Sequence, residues 1–320
     1  MRLVIEHSND KIKQKDGTIV TSSGGNGGVT IARDKYGRIT SVTDNSLDMT
    51  QAVINKFDKN NNTLNTIEQT YNMNGGQRGN LASEMIFQDN EKVVLKYGDS
   101  GKITGWEFYK KSEHADFYEA VDVNQKFIDA MKSKVGTEYT WGGGNMTAYA
   151  GKSNLKADGT WRGYDCCGSV VESMRNALDM NMKQFNSFNV TGLYNADFME
   201  NTTTDENGNV VFVHYKGLTK DPGHVMVYNE WEDADGSYNI MSTHGEVIEK
   251  TKTVPILGKV TYYEDVLNGD TRFGADNAGR LKDTDTKAWW IDYAQSSNPA
   301  ANVSMKKINW GEVYKKYKLK

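Results

Sequence analysis

The stretch RGYDCCGSVVESMRNAL, residues 162–178, holds both cysteines of the chain side by side. A helical pattern follows them, with Val170, Val171, Met174 and Leu178 spaced to share one face. Asp165 stands where an N-cap belongs, because a short carboxylate accepts the unpaired N–H groups of a first helical turn. Cys166 then falls in that first turn, where the positive end of the helix dipole favours a thiolate. Gly168 leaves room for a substrate backbone to approach. The expectation is a nucleophilic sulfur, kept ionised by its place on the helix and by an imidazole from elsewhere. Cys167 reads as a small buried neighbour.

The remaining composition narrows the chemistry. The chain has 320 residues, 37% of them hydrophobic and 11% aromatic, enough to bury a core in one large domain or two smaller ones. Its formal net charge is −4, from 38 basic and 42 acidic residues, which leaves no electrostatic footprint for nucleic acid. The basic ending KKYKLK reads as a solvated terminus. Two cysteines cannot build a disulfide framework, adjacent ones make a strained pair, and a zinc-type CxxC pair is absent. Neither a metal nor a cofactor is expected. The mean hydropathy is −0.69. No apolar run is long enough to span a membrane, and the opening MRLVIEHSNDKIKQKDG lacks the apolar core of a signal peptide. Export by a specialised system, carriage by a phage, or origin as a fragment are the expectations that follow.

A thiol nucleophile needs a base. Of five histidines, His224 lies in DPGHVMVY, where Pro222–Gly223 turns into a strand. A histidine at a strand's first residue can project over a cleft edge. His244 closes a later strand in MSTHG and could fix the ring of His224, with His214 as the fallback. His7 and His114 lie in polar segments and read as solvated. The run EYTWGGGN, with Tyr139 and Trp141, marks a tight glycine loop that a second chain segment can approach closely.

The elements EYTWGGGN, YDCCGSVVES, DPGHVMVYN and STHG, in that order, resemble the NlpC/P60 family of cell-wall cysteine peptidases over about residues 123–250. The resemblance implies an α+β, papain-like domain in which the helix bearing Cys166 packs on an antiparallel sheet. Carried over by position, Cys166 is the nucleophile, His224 the base and His244 the orienting residue. Tyr139 helps hold the oxyanion together with the backbone N–H of Cys166. Asp165, Trp141 and Gly168 are candidates for substrate contact, Asp165 through the substrate's free amine. The implied substrate is bacterial peptidoglycan, cut between γ-D-glutamate and the diamino acid of the stem peptide. An N-acetylmuramoyl-L-alanine amidase is the close alternative, and an inactive interaction module the distant one. Action in the periplasm or cell wall and a partner for immunity or delivery would follow. Three departures stand out: Cys167 occupies the family's usual serine position, residues 145–164 form a long polar insertion, and the interval from His224 to His244 is stretched.

Ahead of that domain, expected over 113–320 with a C-terminal extension, residues 1–112 read as a smaller region of β-hairpins and a helix, a candidate targeting or binding module. VTIARDKYGRIT (29–40) and VVLKYGDSGKIT (93–104) align without gaps as two hairpins and faintly resemble the YD-type repeats of Rhs-like proteins. SLDMTQAVINKF reads as a helix through Met49, Val53, Ile54 and Phe57. DKNNNTLNTIE is similar to a calcium loop, with Asp58, Asn60, Asn62 and Glu68 as oxygen donors. It lacks the central glycine and is one residue short, so an Asn-rich turn between helices is the expected reading. Past the cysteine helix, NVVFVHY, HVMVYNEW, YNIMSTHG, KVTYYEDV and AWWIDYA read as strands, with Trp289 and Trp290 as strand packing.

Overall fold

A computed structural model of the chain describes residues 10–13, 19–22, 29–48, 50–113, 117–134, 143–144, 161, 163–185, 188–204, 206–214, 222–232, 238–241, 246–254, 258–266, 280–281 and 302–319. The chain divides into two units, Met1–Asp122 with Leu319–Lys320, and Val123–Lys318.

The first unit is a ten-stranded antiparallel sheet in which each strand pairs with the next in sequence. Its strands are β1 (Asp10–Lys13), β2 (Ile19–Ser22), β3 (Val29–Arg33), β4 (Ile39–Asp48), β5 (Gln51–Phe57), β6 (Thr63–Asn74), β7 (Gln77–Gln88), β8 (Glu91–Tyr97), β9 (Ile103–Lys111) and β10 (Tyr118–Val121). β10 pairs with β9 through Val121–Phe108, so the sheet continues past residue 112. Ile67, Ile86, Val93 and Phe108 stand opposite one another across β6–β9, and all four are buried. The neighbouring row is polar. Glu84, itself buried, accepts hydrogen bonds from Gln69 Nε2 at 2.9 Å and from the Tyr97 hydroxyl. Gln69 in turn accepts from Tyr71 Oη at 2.6 Å.

Both aligned segments form hairpins, and a third turn matches them. In Asp34–Arg38, Asp58–Asn62 and Gly98–Lys102, the first residue's N–H donates to the fifth residue's carbonyl at 2.9 Å. The fourth residue's N–H donates back to the first residue's carbonyl, and that fourth residue has positive φ: Gly37 +81°, Asn61 +63°, Gly101 +76°. This geometry suits a three-residue hairpin loop with a glycine or asparagine in the left-handed region. The turn explains two departures from the sequence reading. DKNNN joins two strands, not two helices. Asp58 Oδ1 accepts from Asn60 N at 2.7 Å and Asn62 N at 2.8 Å, while Glu68 lies in mid-strand opposite Val53 and Met85. The segment expected as a helix is the β4–β5 hairpin, with Ile54 opposite Ile67. Its β-branched Val53 and Ile54 satisfy a strand once partners are available on both sides, and that pairing overrides the helical spacing.

The second unit opens with α1 (Val123–Lys132), which buries Val123, Phe127, Ile128 and Met131 as its spacing predicts. α2 (Cys166–Ala177) follows, then α3 (Val190–Tyr194). The main sheet comprises β11 (Met199–Thr202), β12 (Val210–His214), β13 (His224–Glu232), β14 (Tyr238–Met241), β17 (Arg280–Leu281) and β18 (Asn302–Ile308). Its spatial order is β11-β18-β12-β13-β14-β17, antiparallel throughout. β15 (Glu246–Val254) and β16 (Gly258–Val266) pair separately. The strands expected from NVVFVHY, HVMVYNEW, YNIM and KVTYYEDV are present, whereas AWWIDYA lies outside the described residues. Val210–Phe212 and Val225–Tyr228 are buried at every successive position, so both faces of the sheet's centre are covered.

The C-terminal residues are an anchor, not a solvated tail. β18 lies between β11 and β12, and α4 (Trp310–Val313) continues into a π-helical turn, Tyr314–Lys318. Trp310 and Tyr314 are fully enclosed, and the Trp310 ring meets Phe127 of α1 edge-on at 5.5 Å. The Tyr317 ring packs against Phe185 at 4.9 Å and Phe198 at 5.9 Å. Two lysines of KKYKLK have partners as well. Lys316 pairs with Asp197 at 2.7 Å, and Lys318 donates to the Leu178 carbonyl. Apolar burial of the aromatic stems outweighs the terminus's polarity.

Candidate active site around Cys166

Helix α2 starts at Cys166, with Asp165 as its N-cap in extended geometry (φ −96°, ψ 178°). The Asp165 carboxylate accepts the Gly168 N–H at 2.6 Å, and the Asp165 carbonyl accepts Ser169 N at 3.0 Å. Val170, Val171, Met174 and Leu178 are all buried, so the apolar stripe read from the sequence seats the helix. α2 packs on β13, which begins at His224. The backbone N–H groups of Cys166 itself, Cys167 and Val225 favour the anion of the Cys166 sulfur. The first two belong to the helix's first turn. The third comes from the residue immediately after His224.

The sulfur's ionisation differs from the sequence expectation. Cys166 keeps part of its surface exposed, yet the protein packed around it pushes the thiol up to about 12. Burial is the main cause, and the neighbouring Asp165 charge adds to it; the three N–H donors oppose both and lose. Burial and the Asp165 charge thus outweigh the pull of the helix end toward a thiolate. The same carboxylate that caps the helix works against the anion beside it. Cys167 behaves as expected: it is 4% exposed, donates from Sγ to the Phe188 carbonyl at 3.3 Å, and burial holds its thiol well above its ordinary value.

Gly168 has a different role from the one its sequence context suggests. A Cβ there would lie 1.7 Å from the Gly143 carbonyl oxygen. The space above Gly168 is thus filled by the chain's own glycine loop, not open to substrate. Gly144, at φ +80°, is equally constrained: a Cβ would lie 2.5 Å from the Gly168 carbonyl and 2.6 Å from the Tyr164 ring. Gly143 O also accepts Asp165 N at 3.2 Å. Gly144 of EYTWGGGN is needed because its backbone lies directly on the first turn of α2.

His224 is placed by its backbone, at the start of β13 and opposite Val213 of β12. Tyr139, Trp141 and His244 lie outside the described residues. His214 is engaged at the β12–β18 pair. Its Nε2 is 2.8 Å from Ser304 Oγ, and its ring meets Tyr194 edge-on at 5.1 Å. Among the described residues, no cluster of three or more His, Cys, Asp and Glu side chains could hold a metal ion. No helix among them is long and apolar enough to cross a membrane.

A polar cluster that the sequence reading did not single out lies along α1 and α2. Lys134, 3% exposed at its side chain, pairs with Glu172 at 2.5 Å and donates to Ser173 Oγ at 2.8 Å. Arg175, also 3% exposed, donates to the Gly144 carbonyl at 2.5 Å and the Phe185 carbonyl at 3.1 Å. A signal existed for Arg175: it follows Val171 at helical i+4 spacing, a charge on the stripe that otherwise faces the core.

The sequence model of the NlpC/P60 family matches residues 136–258. This segment is therefore NlpC/P60-like, in agreement with the Asp-Cys-x-Gly and Gly-His-Val elements it contains, and that family is one of cell-wall cysteine peptidases and related hydrolases. No curated protein and no solved structure matches the chain. The matched segment stops short of β18, which the sheet uses between β11 and β12.

Proposed function

We propose that the second unit is a peptidoglycan hydrolase that cuts a stem-peptide amide bond through an acyl-thioester on Cys166. The observation that carries this reading is that α2, which starts at Cys166, packs on β13, which starts at His224. A nucleophile and a base candidate thus come from elements that meet at one point. The NlpC/P60 likeness of residues 136–258 supplies the substrate class.

With burial and Asp165 pushing the thiol up, His224 acts as general base at the moment of attack. Its imidazole takes the thiol proton as sulfur adds to the amide carbonyl. The imidazolium then protonates the departing amine, and a water molecule, deprotonated by the same imidazole, hydrolyses the thioester. Tyr139 and the Cys166 N–H serve the oxyanion, His244 orients the base, and Asp165 and Trp141 face the substrate. The bond after γ-D-glutamate is the favoured one, because a carboxylate at the helix entrance suits a substrate with a free amine. Delivery as an effector, with an immunity partner, fits a hydrolase joined to an Rhs-like hairpin sheet.

Mass spectrometry of purified sacculi digested with the protein tests the reading. Fragments with a new amine on the diamino acid are expected. Fragments freed at the lactyl–alanine bond would assign the amidase instead, and intact sacculi would remove the hydrolase reading.

A further inference from the structure

Two buried cations converge on the glycine loop that lies over the nucleophile's turn. Arg175 reaches from the far half of α2 to the Gly144 carbonyl at 2.5 Å and to the Phe185 carbonyl at 3.1 Å. Its partners are thus two loop carbonyls, one before α2 and one after it. The Lys134 ammonium lies 5.1 Å from the centre of the Tyr164 ring, and that ring backs Gly144. Glu172 binds Lys134 at 2.5 Å, which balances one of the two charges. Burying a guanidinium is costly, and two neutral carbonyls compensate for it only in a fixed geometry. A core that needed packing alone would use an apolar side chain at this position, as it does at Val171 and Met174.

We propose that Arg175 is a positioning residue for the Cys166 nucleophile: by holding the Gly144 carbonyl it keeps the Gly143–Gly144 loop seated on the first turn of α2. The route is short. Gly143 O takes the Asp165 N–H at 3.2 Å and fills the space above Gly168. Asp165 caps the turn that carries Cys166. Loosening the loop frees the cap, admits water beside the sulfur, and shifts the attacking atom. The inference rests on the hydrolase reading for its catalytic consequence, though not for its effect on the thiol.

The test compares Arg175→Met and Arg175→Lys with Val313→Ala, a substitution at a fully buried position of α4 outside the site. Each protein is melted, its Cys166 alkylation by iodoacetamide is followed against pH with the modified cysteine located by mass spectrometry, and muropeptide release is measured for kcat and KM. Arg175→Met is expected to alkylate faster than wild type near neutral pH, because the sulfur is better hydrated, while kcat falls by about 10²-fold. Arg175→Lys, which keeps the cation and one carbonyl bond, should fall between the two. Val313→Ala should lower Tm and leave both the alkylation profile and kcat in place. The clamp is overturned if the Arg175 variants keep the wild-type alkylation profile, if they change only as Val313→Ala does, or if neither folds. If the alkylation contrast appears but the wild type releases no muropeptide, the hydrolase reading fails and the clamp stands.

Discussion

The two units reach antiparallel sheets by opposite routes. In the N-terminal unit every strand pairs with its sequence neighbour, so each hairpin is fixed by the few residues that make its turn. In the unit bearing Cys166, the sheet is completed by β18, which lies far from β11 and β12 in sequence but between them in space. The first sheet is a sum of local decisions. The second is a single decision taken only when β18, distant in sequence, arrives between its partners, and closing such a long loop is slow. The chemistry is expected to belong to the non-local unit, where elements distant in sequence can be brought to one point.

The largest effect expected is at the nucleophile. Cys166→Ala should abolish muropeptide release, whereas Cys167→Ser should retain most of it, because the Cys167 sulfur is buried against the Phe188 carbonyl. Equal loss in both would show that the adjacent thiols act as one site. Alkylation of wild-type Cys166 adds a pH criterion. With the thiol held up at about 12 by burial and by Asp165, its rate should keep rising through pH 9 and beyond. A plateau already reached near neutral pH would mean that an imidazole holds the sulfur as a standing ion pair. The same raised value has a sign for stability. Below the unfolded thiol's value of 9.0 the contribution is complete, and it is lost as pH climbs from there towards 12, since only the unfolded chain then sheds the proton. Cys166→Ser should blunt that alkaline loss.

Next in size are the cores. Trp310→Ala removes a ring that is 2% exposed and touches Phe127, and should cost the Cys166 unit about 3–5 kcal/mol. Ile86→Ala, at a position with no exposure, should cost the hairpin unit about 2–5 kcal/mol. Calorimetry should show each substitution lowering a different transition. Ile86→Ala should leave hydrolysis intact below the transition it lowers. If both move a single transition, the two sheets melt as one body and the contrast between them fails.

What the sequence disclosed follows the same division. The cysteine helix was legible because its cap, its apolar stripe and its nucleophile fall within one short run, Asp165–Leu178. The strand after Pro222–Gly223 was legible because it holds four successive apolar positions, Val225–Tyr228. Two of the three matching turns were visible; the third, Asp58–Asn62, was hidden because asparagine replaces the glycine at the left-handed position and the flanking Val53 and Ile54 also fit a helix. The C-terminal strand Asn302–Ile308 could not be read. Its NVSMKKI has no clean alternation, and its place is set by partners distant in sequence. Lys306 illustrates the point: a lysine in a central strand looks misplaced until its Nζ is seen donating to the Tyr194 carbonyl at 2.7 Å. The buried cation Lys134 was hidden for a like reason, because its partners Glu172 and Ser173 are brought near it only by folding, whereas Arg175 left one trace, a charge on the apolar stripe.

The smallest prediction bears directly on whether the hairpin unit is built from local decisions. Gly101 has φ +76° and open space around the position of a Cβ, so Gly101→Ala isolates backbone strain from packing. An L-residue in the left-handed region costs roughly 1–2 kcal/mol, and the hairpin unit should lose about that much. Asn61 occupies the equivalent place at φ +63°, and asparagine tolerates it, so Asn61→Gly should be close to neutral: relief of strain is offset by the greater freedom of glycine in the unfolded chain. Urea unfolding of the two variants measures both. If Gly101→Ala is as silent as Asn61→Gly, the left-handed residue does not set the turn. The register of β8 against β9 would then come from the facing row of Ile86, Val93 and Phe108, and the sheet would owe its order to its face, as the Cys166 unit does, and not to its loops.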